Sequence, residues 1–234
     1  MLEEILQDGF KQLSLEPDAR AIPRLRRYYE LLEEQNKVMN LTAIHGEEDS
    51  ARLHFLDSAA LLTLAPLDGK RVIDVGTGAG FPGLVLKILC PSLELTLLDS
   101  LDKRVRFLQL VCGELDLPDV RCLHARAEEA PPELRESFDF AVSRAVARLN
   151  VLSELCLPFV KPGGGFLAMK GPGAEEEAQE AKRAIRLLGG QLERVAPYAI
   201  PGIDAQHSLV LVKKTGPTPR GYPRRWAQIK KTPL

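Results

Sequence analysis

From Lys70 onward the chain alternates short β-branched or apolar runs with helical segments, and that alternation restricts the fold more than any other feature of the sequence. The runs are Arg71 to Val75, Leu93 to Leu98, Val120 to Leu123, Phe138 to Val142 and Gly165 to Met169, with helices fitting the intervals. Strand alternating with helix predicts a parallel sheet covered on both faces, an α/β fold. After a long helix from about Ala174 to Leu188, two more strands are expected, Gln191 to Tyr198 and Ser208 to Lys213. Pro201-Gly202 between them is short enough for a hairpin, so the sheet is expected to end in an antiparallel pair.

Upstream, residues 1–64 read as helical. Leu2, Ile5, Leu6, Phe10 and Leu13 recur at helical spacing, and Ile22, Leu25, Tyr28, Tyr29, Leu31 and Leu32 continue the pattern after Pro17 and Asp18. A third helix is expected from about Ser50 to Leu64. The domain reading is therefore a helical extension (1–64), an α/β catalytic domain (65–214) and a basic, Pro-rich tail (215–234) expected to be mobile in isolation.

The sharpest chemical signal is the stretch from Val72 to Gly83, in which Gly76, Gly78, Gly80 and Gly83 crowd a turn between a strand and an apolar helix. Glycines there let the backbone approach a ligand and aim amides at it from the helix start. Dinucleotide enzymes use GxGxxG at the same place. Here the third glycine comes one residue early, giving GxGxG, and Phe81 fills the slot where the dinucleotide pattern requires glycine. At the end of the second strand, Asp99 is placed to accept both ribose hydroxyls of an adenosine-containing ligand, or else to cap the helix beginning at Asp102.

These residues resemble a known family. Asp74 to Gly83, Leu97-Leu98-Asp99-Ser100 with Lys103 to Leu108, and Ser143-Arg144-Ala145 are similar to the bacterial 16S ribosomal RNA guanine-N7 methyltransferases, also called glucose-inhibited division protein B. Asn40-Leu41-Thr42, His54 to Ser58, Lys170-Gly171, Tyr222 to Arg225 and Lys230-Lys231 extend the likeness from about Tyr28 to the end. The resemblance implies a class I, Rossmann-like methyltransferase with a mostly parallel seven-stranded sheet and S-adenosyl-L-methionine as cofactor. Its substrate would be 16S ribosomal RNA or a partly assembled small subunit. It also implies that Gly76 and Phe81 line the methionine and adenosine pocket, that Ala127 and Glu128 sit by the adenine, and that Arg144 lies beside the cofactor. Two departures are Gln35, where relatives often carry tryptophan, and Trp226, where they more often carry a small residue.

The implied chemistry requires little from side chains. Guanine N7 has a free lone pair at neutral pH, so no general base is needed, and catalysis reduces to holding nucleophile, methyl and sulfur in line. Positive charge moves onto the purine, so Arg144, the one catalytic candidate, is better suited to phosphate, cofactor or the guanine oxygen edge than to the charged product.

Charge is asymmetric. From Lys213 to Leu234 the chain has seven basic and no acidic residues, so a chain of net charge −1 carries −8 elsewhere. Arg220, Arg224, Arg225, Lys230 and Lys231, interleaved with Tyr222 and Trp226, suggest phosphate contacts with base stacking, against the alternative of a solubilising terminus. Glu175, Glu176 and Glu177 suit the first turn of a helix and are assigned no function. His45, His124 and His207 stand in separate segments, whereas His54, Asp57 and Ser58 share one helix face, either as part of the site or as an anchor on the sheet. The four cysteines form no CxxC pair, so no metal site and no disulfide is expected. The scattered cysteines and the lack of an apolar stretch near ~20 residues suit a cytoplasmic protein without a membrane span, and a monomer is expected. Two competing readings are a nicotinamide-dependent oxidoreductase, opposed by the GxGxG spacing, and a non-catalytic RNA-binding protein, opposed by the intact glycine turn.

Overall fold

The computed structural model describes residues 1–144 and 147–234, so Ala145, the last residue of the Ser143-Arg144-Ala145 match, lies outside the described residues. Two helices, α1 (Leu2–Gln12) and α2 (Ala21–Met39), are followed by a helical stretch, α3, in four pieces: Glu47–Asp49, Ser50–Leu56, Asp57–Ala59 and Leu61–Leu64. The α/β part runs β1 (Arg71–Val75), α4 (Gly83–Leu89), β2 (Glu94–Asp99), α5 (Asp102–Glu114), β3 (Val120–His124), β4 (Phe138–Arg144), α6 (Leu149–Cys156), β5 (Val160–Lys170), α7 (Ala174–Leu187), β6 (Gly190–Ile200) and β7 (Ile203–Lys214). A short helix, α8 (Trp226–Lys231), follows.

The strands form one seven-stranded sheet in the order β3-β2-β1-β4-β5-β7-β6. The first five pair in parallel, and β7 runs antiparallel to both β5 and β6. Because side chains alternate faces along a strand, Val72 packs on one face with the residues of α1 to α5, while Ile73 packs on the other with α6, α7 and α8. The N-terminal helices thus share a continuous apolar core with the sheet. Tyr28 and Phe55 are fully buried in that core. Each such ring contributes roughly 1.5–3 kcal/mol by leaving water.

Two expectations are corrected here. The third helix is not plain α-helix, because Ser50–Leu56 is π-helical, and the wider turn redistributes side chains that α-spacing would place on one face. The tail is not loose either. Arg135 donates through Nη1 to the Tyr222 carbonyl (2.6 Å) and through Nη2 to the Thr218 carbonyl (2.7 Å), and Ile229 is 0% exposed in the second core. Lys214 is fully buried, with Nζ on Glu136 Oε1 (2.8 Å) and the carbonyls of Leu157 and Val160 (3.0 and 2.8 Å). Polarity misled the reading, since Lys214 satisfies buried acceptors on the domain and Arg135 of the domain holds the carbonyls of the tail.

Candidate functional site

Parallel sheets bind ligands beyond the carboxyl ends of their strands, where the strand order reverses. Here β1 leads outward to β2 on one side and pairs with β4 on the other, so the reversal falls at β1. A cavity of about 520 Å³ opens there, lined from the β1 turn by Gly76 to Ala79 and Phe81, from β2 by Asp99 and Ser100, after β3 by Ala125 to Glu128, and from β4 by Arg144.

The glycine turn is held from below. Asp74 is fully buried, and its Oδ2 accepts hydrogen bonds from Thr77 Oγ1 (2.7 Å) and the Gly83 amide (2.8 Å). Burial raises its pKa to about 6, against those lowering hydrogen bonds. Gly76 and Gly78 have φ of 71° and 62°, a region L side chains rarely enter. A Cβ on Gly78 would meet nothing within 4 Å, so it would project into open space at the cavity wall. A ligand can therefore lie directly on the backbone.

Asp99 is 3% exposed at the tip of β2. Its Oδ2 accepts from the Gly78 amide (2.9 Å) and its Oδ1 from the Leu101 amide (2.9 Å), with Arg104 Nη1 at 3.4 Å. Asp99 therefore braces the Gly78 turn and the loop before α5, whose first turn has no side-chain cap, and the capping alternative is not realised. An ionised carboxylate has about four acceptor sites, so two amides leave capacity for ribose hydroxyls. Beyond β3, Ala127 and Glu128 sit in a 3-10 turn, Ala127–Glu129, and the Glu128 Oε1 atom is buried with no hydrogen-bond partner among the described residues, Arg126 Nη1 standing 3.9 Å away. A buried acceptor that makes no hydrogen bond is costly, and an exocyclic amine would relieve it. Glycine cradle, Asp99 and the Glu128 oxygen together suit an adenosine-bearing cofactor such as S-adenosyl-L-methionine.

At the other end lies a polar cluster that sequence reading found only in part. Arg144 donates through Nη1 to the Leu53 carbonyl (2.9 Å) and Asp57 Oδ2 (2.8 Å), and through Nη2 to His54 Nδ1 (3.1 Å). Since Nδ1 accepts, Nε2 carries the proton and donates to Thr42 Oγ1 (3.0 Å). Burial, helped by the Arg144 charge, pushes the His54 pKa down to about 3, so the ring is neutral. The His54 ring stacks on Phe81 at 4.1 Å between centroids, and the Arg144 guanidinium lies 5.1 Å from the same ring. Tyr198 Oη donates to Asp57 Oδ1 (2.7 Å), and burial against that carboxylate raises the phenol's pKa. Ser58 instead turns back onto the His54 carbonyl (2.6 Å), so the expected face of His54, Asp57 and Ser58 survives for two of its three members.

His54, Asp57 and Arg144 also line a second cavity, of about 670 Å³, which Lys170, Tyr198 and His207 border from the sheet and Arg148 and Glu177 from the starts of α6 and α7. His54 and Arg144 are the wall the two cavities share. Thr42 reaches this wall because Asn36 Oδ1 accepts the amides of Leu41 and Thr42 (2.6 and 3.0 Å) while its Nδ2 donates to the Thr42 carbonyl (2.9 Å). Asn40 ends α2 at φ 50°, a left-handed cap that asparagine tolerates. The Asn-x-x-x-Asn-Leu-Thr spacing held this signal, whereas nothing local marked Asp57 and Tyr198 as partners across 141 residues.

The tail residues separate into two groups. Arg224 is not available for phosphate: its backbone amide and Nε bond Glu154 Oε1 (2.9 and 2.8 Å) and its Nη2 bonds Oε2 (2.6 Å), with Glu154 0% exposed. Arg220, Arg225, Lys230 and Lys231 are exposed, and among the described residues no carboxylate pairs with them. Trp226 lines the cavity over the glycine turn, so the tail reaches the strand tips. Glu177 is likewise more than a solvated first-turn acid, accepting the Leu149 amide (2.9 Å) and pairing with Lys170 (2.8 Å). Cys112 and Cys122, distant from any CxxC spacing, come within 4.0 Å as free thiols. No helix among the described residues is long and apolar enough to cross a membrane.

Among known proteins, the family model described as rRNA small subunit methyltransferase G matches residues 21–204. A protein named Ribosomal RNA small subunit methyltransferase G from Clostridium botulinum (strain Okra / Type B1) is 46% identical over 233 residues, covering 98% of each chain. Its namesake from Alkaliphilus oremlandii is 47% identical over 236 residues, covering 100% of this chain and 99% of its own. Among solved structures, a SAM dependent methyltransferase from Aquifex aeolicus aligns with a TM-score of 0.55 at 21% identity, over 70% of this chain and 93% of that one. TYW2 of M. jannaschii, solved in complex with AdoMet, aligns with a TM-score of 0.55 at 13% identity over 68% and 74%. These structural likenesses bear out the Rossmann-like methyltransferase fold. The chain belongs to the rRNA small subunit methyltransferase G family.

Proposed function

We propose that this protein transfers the methyl group of S-adenosyl-L-methionine to N7 of a specific guanine in 16S ribosomal RNA, acting in the cytoplasm on that RNA or on a partly assembled small subunit. The observation that carries the reading is the pairing of cavities: an adenosine-suited cavity over the glycine turn shares the His54 and Arg144 wall with a second cavity bordered by the Arg144–Asp57 and Lys170–Glu177 ion pairs. When bound, the cofactor supplies an electrophilic methyl. Gly76, Gly78, Phe81, Asp99, Ala127, Glu128 and Arg144 are the residues assigned to hold it. The chain's own contribution is orientation, which can lower a barrier by up to ~7–11 kcal/mol in the best cases. A neutral His54 and an Arg144 whose charge is met by Asp57 at 2.8 Å place no uncompensated cation beside a base that becomes positive.

In this reading residues 1–64 wall off the target side, residues 65–214 form the methyltransferase domain, and residues 215–234 anchor on it. Arg220, Arg225, Lys230 and Lys231 offer phosphate contacts from the surface. The test is incubation of the protein with labelled S-adenosylmethionine and unmodified transcripts of small- and large-subunit RNA, and with small-subunit particles. Label in small-subunit RNA supports the reading. Tight cofactor binding with no transfer to any RNA would favour a non-catalytic binding protein instead.

A further inference from the structure

The chain has one tryptophan, Trp226, and its position is unusual for a tail residue. It stands at the first turn of α8, 37% exposed, and lines the same cavity as Asp99, Ala127 and Glu128. An indole on a cavity wall offers a large apolar face for a ligand to cover, and the structure fixes it there. Two residues earlier, Arg224 makes three hydrogen bonds to the buried Glu154 carboxylate, and Leu155, the next residue of α6, also lines the cavity. Two residues span at most ~7 Å, so the clamp pins Trp226 against the Leu155 side. Three residues later, Ile229 supplies the apolar anchor at 0% exposure. The indole is therefore not required to seat the tail.

That end of the cavity is where the nucleobase of an adenosine ligand would lie. Asp99 is placed for the ribose, and Glu128 Oε1, which makes no hydrogen bond among the described residues and has Arg126 Nη1 only at 3.9 Å, is open to an exocyclic amine. We propose that Trp226 closes the adenine end of the cofactor cavity, stacking its indole on the adenine, so that the C-terminal segment is part of the cofactor site. The proposal rests on the reading that this cavity takes S-adenosylmethionine. It differs from a role for Trp226 in stacking on RNA, which would turn the ring toward the exposed cations of the tail.

A single tryptophan makes the test direct. S-adenosylhomocysteine is titrated into the full-length protein while Trp226 emission is followed, with calorimetry in parallel on wild type, Trp226→Ala and Trp226→Phe. Binding should change the emission with the same Kd that calorimetry gives, and adenosine should reproduce the change where methionine does not. Aromatic stacking on a base predicts that Trp226→Ala raises Kd roughly five- to hundredfold. Trp226→Phe should recover most of the loss, and the melting temperature of ligand-free Trp226→Ala should match wild type. Calorimetric binding with unchanged emission would overturn the proposal, as would a wild-type Kd in Trp226→Ala or a loss confined to RNA affinity. If wild type binds no S-adenosylhomocysteine at all, the cofactor reading itself fails and this proposal with it.

Discussion

Asp99→Ala separates the bracing that the geometry shows for one carboxylate from the ribose contact proposed for it. The side chain accepts the Gly78 and Leu101 amides at 2.9 Å each while lining the cavity at 3% exposure. Losing the Leu101 contact removes a local hydrogen bond in the loop before α5, about 0.5–1.5 kcal/mol. For a chain of this size, that lowers the melting temperature by roughly 2–4 °C per kcal/mol. Losing the ribose contacts removes charge-assisted hydrogen bonds worth ~1.5–3 kcal/mol, or roughly ten- to hundredfold in cofactor affinity. A domain that has lost ~1–2 kcal/mol is still almost wholly folded at room temperature, so weakened binding would not be an effect of unfolding. The assay is calorimetric titration with S-adenosylhomocysteine beside scanning calorimetry of the free protein. A lowered melting temperature with unchanged Kd would refute the ligand role and leave Asp99 as a brace for the Gly78 turn and the loop before α5.

Gly78→Val should abolish cofactor binding and activity with helix content retained by circular dichroism, because it forces a β-branched residue to φ 62° and aims it into the cavity; full turnover would exclude the turn as the site. Arg224→Ala should cost ~3–5 kcal/mol in denaturant unfolding by stranding the Glu154 charge at 0% exposure; a loss below ~1 kcal/mol would mean that the clamp contributes little. His54 has its pKa lowered from 6.5 to about 3. Its contribution to stability is therefore full above 6.5 and lost as pH falls toward 3, with the unfolded chain binding the extra proton. Asp74, raised to about 6, acts oppositely, its contribution being lost as pH rises through that value. The difference in unfolding free energy between wild type and His54→Gln should therefore shrink on acidification, and ring resonances that titrate with an ordinary histidine pKa would contradict the burial argument.

Much of the frame was legible because it rests on local periodicity. Arg71–Val75 and the helix starting at Ala174 stand where the pattern put them, and the Pro201-Gly202 turn does join an antiparallel pair. What periodicity could not carry was long-range partnership. Lys214 and Arg224 read as solvent-facing charge, yet both are matched to acids distant in sequence, Glu136 and Glu154. Charge patterning reports composition, whereas burial depends on whether a fixed acceptor waits on the other side. The same limit hid the Asp57 to Tyr198 bond and the placement of Trp226 on the cavity. The π-helical turn at Ser50–Leu56 escaped because its apolar spacing over seven residues does not differ enough from an α-helix to be told apart.

The central claim is methyl transfer to N7 of one guanine, and N7-methylguanosine has a chemical signature that other methylated guanines lack. After reaction with S-adenosylmethionine, small-subunit RNA reduced with borohydride and treated with aniline breaks at N7-methylguanosine. The account predicts a single enzyme-dependent break at one guanine in small-subunit RNA, absent when the protein or cofactor is omitted. Label incorporated into that RNA without any break, or breaks scattered over many guanines, would contradict it.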